Sequence, residues 1–225
     1  MLLSVSTFYL PFDNLRREIS ALDGAGADLF HVDFMDGNFV ENLGMGIQDL
    51  AAVRRCTEKP VDVHMMVCRP GRYVELMADH GADIIHIHPE SDPHPAAVLQ
   101  KIRRLGLKCG LVVSPGTSVA TVEELLPLSD YVLVMSVNPG FANQSYLTNV
   151  EDKAIRLASM QERYGYTVMM DGAVDLDAVR RLHRHGIIAY VLGNRVLLNR
   201  DKENYAEAMR EIRRVPANVK KESET

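Results

Sequence analysis

The sequence predicts a (β/α)8 barrel, a closed ring of parallel strands surrounded by helices, and three observations carry this prediction. Eight short runs rich in Val, Ile, Leu and Met each precede a polar or Gly/Pro loop and then a segment with helical periodicity. The runs are almost continuously apolar, as expected of parallel strands that are covered on both faces. The 225 residues show no break in composition, and barrels of this length form one domain.

The predicted elements alternate regularly along the chain. The predicted strands are Leu2–Ser6, Leu29–Phe34, Val61–Met66, Ile84–Ile87, Cys109–Val113, Tyr131–Met135, Thr167–Met170 and Ala189–Leu192. Helical periodicity is clearest in the segments Asn14–Leu22, Pro95–Leu105, Val119–Leu126, Lys153–Tyr164 and Lys202–Arg213. An open doubly wound sheet is the alternative, but it would usually carry a G-x-G-x-x-G turn after its first strand. This sequence has no such turn, so we expect the closed barrel.

The predicted barrel domain spans residues 1–217, and the polar, charged residues 218–225 are expected to form a flexible C-terminal tail. The net charge of -5 argues against a nucleic-acid partner or an anionic membrane surface. The N-terminal apolar stretch follows no positive charge and is interrupted by Pro11 and Asp13, so neither a signal peptide nor a membrane span is expected. The three scattered cysteines indicate reduced thiols in a cytoplasmic protein.

Reactive side chains collect at the C-terminal ends of three predicted strands, where barrels place their catalytic groups. His31 and Asp33 are two residues apart on the second strand, so both side chains point to the same side. Counting residues along the strands in the same way places His64, on the third strand, and Asp171, after the seventh, at the same height in the barrel as His31 and Asp33. A buried imidazole or carboxylate is costly unless it is paired or binds a cation. The four side chains form a mixed nitrogen and oxygen set suited to zinc, iron(II), cobalt or manganese.

Spacing alone leaves a second interpretation open, because a single His or Asp in a strand is more commonly a hydrogen-bonded core residue. For His86 and His88, on the fourth strand, structural packing or hydrogen bonding is the preferred interpretation. The remaining histidines lie in predicted helices or loops and are expected to be solvated: His80, His94, His183 and His185.

Glycine-containing turns after the last three predicted strands indicate a phosphate site. They comprise residues 138–144, 171–173 and 192–195. Barrels often bind phosphate with the loops after strands 7 and 8, because free backbone N–H groups converge there. A single glycine after a strand is more commonly a simple turn, so it is the occurrence of these glycines in consecutive units that favours a phosphate site.

An ordered series of segments matches the motifs of one known family. The segments are residues 31–42, 62–67, 88–90, 114–118 and 134–141, with Gln144, Asp171-Gly172 and Gly193. Over essentially its whole length the chain resembles the ribulose-phosphate 3-epimerase family, which includes D-allulose-6-phosphate 3-epimerase. The resemblance implies a (β/α)8 TIM barrel of the ribulose-phosphate-binding type and an isomerase of carbohydrate metabolism. Family members are dimers or hexamers, so a homo-oligomer is expected.

The resemblance also implies roles for particular residues. It implies one divalent metal ion held by His31, Asp33, His64 and Asp171, with Zn2+ expected first and Fe2+, Co2+ or Mn2+ as alternatives. It implies that Asp33 and Asp171 are the catalytic acid/base pair. The implied substrate and phosphate contacts are Ser6, His64, Met35, Met66, Met135, Gly140, Ala142, Asn143, Gly172, Ala173, Gly193 and Asn194.

The implied reaction inverts carbon 3 of a ketose phosphate and converts D-ribulose 5-phosphate to D-xylulose 5-phosphate in pentose phosphate metabolism. The proton on the carbon beside a ketone is weakly acidic, and a divalent cation stabilises the enediolate that its removal leaves. One aspartate removes the proton from one face, and the other returns a proton to the opposite face. An aspartate with a reference pKa of ~3.9 is a weak base, so its pKa must be adjusted by its surroundings. A bound metal lowers this pKa and desolvation raises it.

Several positions depart from the family pattern at the phosphate side. Asn143 and Ala173 stand where glycine is usual, and Asn194 and Arg195 replace the usual serine or threonine and its neighbour. Arg195 would add a cation near the substrate phosphate, with a solvated arginine as the equal alternative. D-allulose 6-phosphate or another ketose phosphate therefore stays open as the substrate.

Two other functions are weighed against the epimerase. A decarboxylase resembling orotidine-phosphate decarboxylase would need a lysine between two aspartates after a strand, and residues 33–36 contain none. A non-catalytic sugar-phosphate-binding regulator is opposed by the His/Asp set, although the altered loops keep it open.

Overall fold

The structure, a computed structural model, describes residues 1–222 and the side chains of residues 1–215. Eight parallel strands form a closed barrel in chain order, and β8 pairs with β1 to complete the ring. The strands are β1 (Leu2–Ser6), β2 (Leu29–Met35), β3 (Val61–Met66), β4 (Ile84–Ile87), β5 (Lys108–Val113), β6 (Tyr131–Met135), β7 (Thr167–Asp171) and β8 (Ala189–Leu192). The predicted closed barrel is therefore confirmed over the open sheet.

Helices follow the strands and pack on the outside of the ring. They are α1 (Leu15–Ala25), α2 (Ile47–Arg54), α3 (Val74–Asp79), α4 (Pro95–Arg104), α5 (Val119–Val122), α6 (Glu151–Ala158), α7 (Gln161–Tyr164), α8 (Leu176–His183) and α9 (Tyr205–Glu222). Shorter 3-10 turns lie between them, at Phe12–Asn14, Pro70–Arg72, Pro89–Ser91, Glu123–Leu128, Thr148–Val150 and Lys202–Asn204. Within residues 1–222 no helix is long and apolar enough to cross a membrane.

All five predicted helices depart from their predicted bounds: α1 runs three residues further, to Ala25, α4 ends one residue earlier, at Arg104, and the other three differ more. The predicted helix over 119–126 ends early and continues as a 3-10 turn that contains Pro127, which lacks the N–H that an α-helix would use. The predicted helix over 153–164 is divided into α6 and α7. The last helix runs to Glu222, past the expected domain boundary at residue 217. Residues 223–225 of the expected tail lie outside the described residues, and its flexibility stays a prediction.

Apolar side chains fill both faces of the strands, as the sequence predicts. A large cluster lies between the ring and the helices, and it includes Phe30 and Val32 of β2 and Val63 of β3. A smaller cluster lies inside the ring and consists mainly of residues Leu29, Ile84, Val112, Leu133, Met135, Val137, Met169, Ala189 and Val191. Leu29, Ile84 and Ala189 of this inner cluster begin their strands, whereas Met135 ends β6, so the cluster runs along the inside of the ring beside the polar side chains.

The strand register brings the polar side chains of β2, β3 and β4 opposite one another at two successive levels. On the β2–β3 pair, His31 lies opposite Asp62 and Asp33 lies opposite His64. On the β3–β4 pair, His64 lies opposite His86. Because side chains directly opposite each other on neighbouring strands lie about 5 Å apart at their Cβ atoms, these groups must interact inside the barrel.

Gly110 on β5 makes room for the buried ring of His86, and a Cβ at this position would clash with Nδ1 and the ring. Gly110→Ala is therefore expected to destabilise the fold by about 1–3 kcal/mol through overpacking. Urea unfolding measures the change. Gly116→Ala is the matched control, because its Cβ would meet no described atom within 4 Å. Equal unfolding free energies for the two variants would contradict this account of Gly110.

Candidate active site at the mouth of the barrel

Four side chains from β2, β3 and β7 converge at the C-terminal end of the barrel. One potential ligand atom from each of His31, Asp33, His64 and Asp171 lies within 4.8 Å of the other three. His31 Nε2 lies 3.2 Å from Asp33 Oδ1 and 3.8 Å from Asp171 Oδ2. His64 Nδ1 lies 3.2 Å from Asp33 Oδ1 and 3.7 Å from Asp171 Oδ2. The structure thus brings together the four residues that the sequence analysis singled out, and we call them the His/Asp cluster.

The His/Asp cluster fits a divalent cation. His31 Nε2 is buried, faces both carboxylates and has no hydrogen-bond partner within the described part of the chain. A buried polar atom without a partner is costly, and a cation among these donors would satisfy it. Two imidazole nitrogens and two carboxylates are donors that zinc, iron(II), cobalt and manganese all accept. The cluster is therefore a possible site for one divalent metal ion.

The two carboxylates of the cluster have opposite pKa shifts. Burial raises the pKa of Asp33, but His31 and His64 outweigh this effect and hold it below its ordinary value. Burial raises the pKa of Asp171 to about 7, with His31 opposing the change and Asp33 adding to it. Two carboxylates whose settings push their pKa values apart are typical of an acid and base pair.

The two histidines of the cluster also differ. Burial lowers the pKa of His31, but Asp62 and Asp33 outweigh it and raise that pKa well above its ordinary value. Burial lowers the pKa of His64, and the contact with Asp33 opposes the shift only in part. The two pKa values shift in opposite directions because His31 contacts the carboxylates of both Asp62 and Asp33, whereas only Asp33 raises the pKa of His64.

Asp62 is a buried partner of the cluster whose role the sequence analysis missed. Its Oδ2 lies 2.6 Å from His31 Nδ1 and 3.2 Å from His86 Nε2, and Ser4 Oγ donates to its Oδ1 at 3.0 Å. A carboxylate on the far nitrogen of a metal-binding histidine orients the ring and makes it a better ligand. The sequence signal was present, because Asp62 stands two residues before His64 and shares its face of β3.

The other histidines lie in different settings. His86 and His88 are fully buried, and His88 is hydrogen-bonded, in keeping with the predicted structural interpretation. His94 and His185 are exposed as expected, whereas His80 is half-buried and bonds the carbonyl of Leu76. His183 is also half-buried and its Nδ1 is enclosed, so the expectation that it is solvated was wrong. The reason is its position in the last turn of α8, where the helix packs against its neighbours.

A cleft of about 810 Å³ opens above the His/Asp cluster. Every residue that the sequence analysis assigned to substrate or phosphate contact lines this cleft: Ser6, Met35, His64, Met66, Met135, Gly140, Ala142, Asn143, Gly172, Ala173, Gly193 and Asn194. Arg195 lines it as well. Sequence analysis missed Phe8 and Tyr9, which also line the cleft, although their place directly after β1 was a usable signal.

The turns that depart from the family pattern keep a glycine-like backbone. Asn143 has a φ of 59° and Ala173 a φ of 50°, both in the left-handed region that favours glycine. Such a conformation costs on the order of 1–3 kcal/mol for a residue like alanine, and it persists only where the surroundings impose it. Asn143 and Ala173 therefore have the left-handed backbone of a glycine turn, although neither residue is the glycine that the resemblance implies.

Fold and site together define a (β/α)8 barrel with two buried carboxylates, a possible metal centre and glycine-type turns around one cleft. Residues 2–197 match the family described as Ribulose-phosphate 3 epimerase. The chain is 41% identical over 206 residues to the ribulose-phosphate 3-epimerase of Synechocystis sp., with 90% of this chain and 88% of that protein covered. It is 36% identical over 205 residues to the ribulose-phosphate 3-epimerase of Bacillus subtilis, with 90% and 93% covered.

Among solved structures, KGPDC from Streptococcus mutans superposes with a TM-score of 0.72 at 13% identity, covering 97% of this chain and 98% of that one. This likeness concerns the fold alone. The sequence relationships are closer, and they place the chain in the ribulose-phosphate 3-epimerase family. It is accordingly an epimerase, an enzyme of the isomerase class.

Asp62→Asn is expected to weaken divalent-metal binding by about 10- to 100-fold, because His31 would lose the carboxylate that orients it. Competition with a chromogenic chelator measures the affinity. Asp36→Asn is the control, because Asp36 lies at the same end of the barrel and accepts backbone N–H groups of Cys68, Phe39 and Asn38 without touching the cluster. Unchanged affinity in Asp62→Asn would exclude this role for the carboxylate.

Proposed function

We propose that the chain inverts carbon 3 of a ketose phosphate and converts D-ribulose 5-phosphate to D-xylulose 5-phosphate, with Asp33 and Asp171 as the acid and base. The observation that carries the proposal is the convergence of these two carboxylates on one pair of imidazoles. They belong to β2 and β7, which β1 and β8 separate in the ring, so they reach the cleft from different sides. The relatives in Synechocystis and Bacillus subtilis that carry the name ribulose-phosphate 3-epimerase support the choice of substrate.

Inversion by this pair needs one proton acceptor and one proton donor. One aspartate takes the proton from carbon 3 as the C–H bond breaks, and the electron pair forms the double bond of an enediolate. The other aspartate gives its proton to carbon 3 on the opposite face, and the two exchange roles in the reverse reaction. A divalent ion held by the His/Asp cluster would stabilise the negative charge that develops on the ketone oxygen. Ser6 Oγ donates to Asp33 Oδ2 at 3.1 Å and so holds one of the two carboxylates in position.

Methionines surround the place where the proton moves. Met66 and Met135 are buried, and Met35 is half-buried, and all three line the cleft. Their polarisable, apolar side chains keep water away from the two carboxylates. A water-poor setting raises the pKa of a carboxylic acid, which brings an aspartate closer to the range that proton transfer at neutral pH requires.

We assign the substrate phosphate to the loops after β6, β7 and β8. The support is the set of left-handed turns at Gly140, Asn143, Gly172 and Ala173, which line the cleft together with Gly193. Arg195 is exposed at this end, and it makes no ion pair or hydrogen bond with any residue that the structure describes. A guanidinium without a carboxylate partner suits a dianionic phosphate.

The finer assignments follow from the same proposal. We place Zn2+ in the His/Asp cluster, with Fe2+, Co2+ or Mn2+ as the alternatives. We place the protein in the cytoplasm as a homo-oligomer, a dimer or a hexamer, and the three cysteines, none of which forms a disulfide in the described structure, support the compartment. D-allulose 6-phosphate is the second candidate substrate, because the side chains at Asn143, Ala173 and Arg195 alter the phosphate end of the cleft.

Asp171→Asn is expected to lower proton exchange at carbon 3 by at least about 10²-fold, because the amide cannot act as an acid or base. Proton NMR in deuterated water measures the exchange with D-ribulose 5-phosphate and D-allulose 6-phosphate. Asp175→Asn is the control, since Asp175 only caps α8 by accepting the N–H of Ala178. Wild-type exchange in Asp171→Asn would rule out the two-base scheme. Bound metal in the wild type without exchange on any phosphorylated ketose would overturn the proposed function.

Arg195→Ala is expected to raise KM for the phosphorylated substrate about tenfold and to change kcat little, since a charged contact of ~1.4 kcal/mol would be lost from both ground and transition states. Initial-rate kinetics measure the two constants. Arg104→Ala on α4 removes the same charge away from the cleft and is the control. An unchanged KM in Arg195→Ala would make this arginine a solvated surface residue.

A further inference from the structure

His88, which directly follows β4, connects the His/Asp cluster to the loop after β5. The side chain of His88 is fully buried, and its Nε2 lies 2.8 Å from Nε2 of His64. The ring centroids are 5.0 Å apart and the ring planes 21° apart, so the two rings lie end to end and nearly coplanar, as an N–H···N hydrogen bond between them requires. On the other side of the ring, His88 Nδ1 lies 3.0 Å from Ser114 Oγ. A continuous line of hydrogen bonds therefore runs from a residue of the cluster to the loop after β5.

The bonding requirements give this line a direction. His64 presents Nδ1 to Asp33 and Asp171, so a cation held there needs that nitrogen without a proton. The proton of a neutral His64 then lies on Nε2 and is donated to His88 Nε2. His88 must accept it, so its own proton lies on Nδ1 and is donated to Ser114 Oγ. Each ring thereby has only one tautomer that satisfies its neighbours.

We propose that His88 is a positioning residue that accepts the Nε2–H of His64 and so holds the Nδ1 of His64 free of a proton and aimed at a divalent cation. The inference rests on the proposed metal-holding role of the His/Asp cluster and adds to it the residue that sets one of its ligands. His88 does not touch the cation or the substrate in this role.

The far end of the line is held by other contacts. Lys153 Nζ donates to the carbonyls of Ser114, Pro115 and Thr117 at 2.7, 2.9 and 2.7 Å, which ties down the loop that carries the Ser114 hydroxyl. The ring of Phe39 packs on His88 with centroids 4.8 Å apart. His88 is thus held both by hydrogen bonds and by packing, as a group that orients another must be.

The two imidazoles of the cluster are oriented by chemically different partners. His31 has the carboxylate of Asp62 on its far nitrogen, whereas His64 has a neutral ring. A carboxylate both orients a histidine and increases its basicity, but an imidazole acceptor mainly orients it. His64 therefore depends on the position of the acceptor nitrogen of His88, and this dependence can be tested by moving that acceptor.

Three variants at position 88 move or remove the acceptor. His88→Leu removes it at similar volume, His88→Asn places an amide at the Nδ1 position, and His88→Gln places an amide oxygen near the Nε2 position. Co2+ serves as the probe, with its affinity measured by chelator competition and its ligand field by visible absorption. The Leu and Asn variants are expected to lose about 10- to 100-fold in affinity and to change the Co2+ spectrum, whereas Gln restores both. His183→Leu, which removes a half-buried imidazole outside the cluster, is the control and should bind as the wild type.

The outcomes separate the possible roles. Wild-type affinity and spectrum in His88→Asn, even with a lower unfolding midpoint, would overturn the proposal and leave His88 a purely structural residue. Should His88→Leu fail to fold, the comparison between the Asn and Gln variants still decides. Proton exchange at carbon 3 is measured separately on the wild type. If the wild type binds Co2+ but shows no proton exchange at carbon 3, the proposed function is overturned and the role of His88 is not. If the wild type shows exchange but His88→Asn binds Co2+ as the wild type does, only the role of His88 is overturned.

Discussion

The contact between His31 and Asp62 inside the barrel is the interaction on which the site depends. Its 2.6 Å distance joins β2 to β3, and the same register places Asp33 opposite His64. A slip of one residue would turn every side chain of a strand to the other face and would exchange these polar groups for Val32 or Val63. The geometry of the possible metal centre is therefore a consequence of the pairing between β2 and β3. The buried contact between His31 and Asp62 can form only when these two strands are in this register.

Burying so many polar groups is tolerable because most of them have a partner inside the barrel, as Asp62 has in His31 and His64 has in His88. The side chains of His31, Asp62, His64 and His86 are fully buried, so little water reaches them. In such a setting a satisfied polar network is rigid, and a missing partner is costly. His31 Nε2 and both ring nitrogens of His86 have no hydrogen-bond partner within the described residues, and of these His31 Nε2 faces Asp33 and Asp171.

The proposed reaction centre and the proposed phosphate end of the cleft differ in how closely their residues follow the pattern that the family resemblance implies. The His/Asp cluster keeps the pattern of the family, whereas Asn143 and Ala173 replace glycine and Arg195 introduces a cation. Asn143 and Ala173 both have a positive φ, so the backbone at these positions adopts the left-handed conformation that glycine favours. Because turns present backbone N–H groups, a phosphate site can survive such changes while the shape of the cleft alters. The proposed proton transfer and the proposed phosphate contact thus involve different residues.

The sequence by itself determined the strands and the four residues of the His/Asp cluster, because apolar runs and two-residue spacing are local properties. Strands such as Val61–Met66 and Tyr131–Met135 have their predicted bounds, and Pro127 explains one helix that does not. The partners of the cluster were decided only by the tertiary structure. Asp62 and His88 act on residues 31 and 24 positions away, and that contact exists only once neighbouring strands are in register. Spacing along one strand shows which way a side chain points, but not what it meets across the barrel.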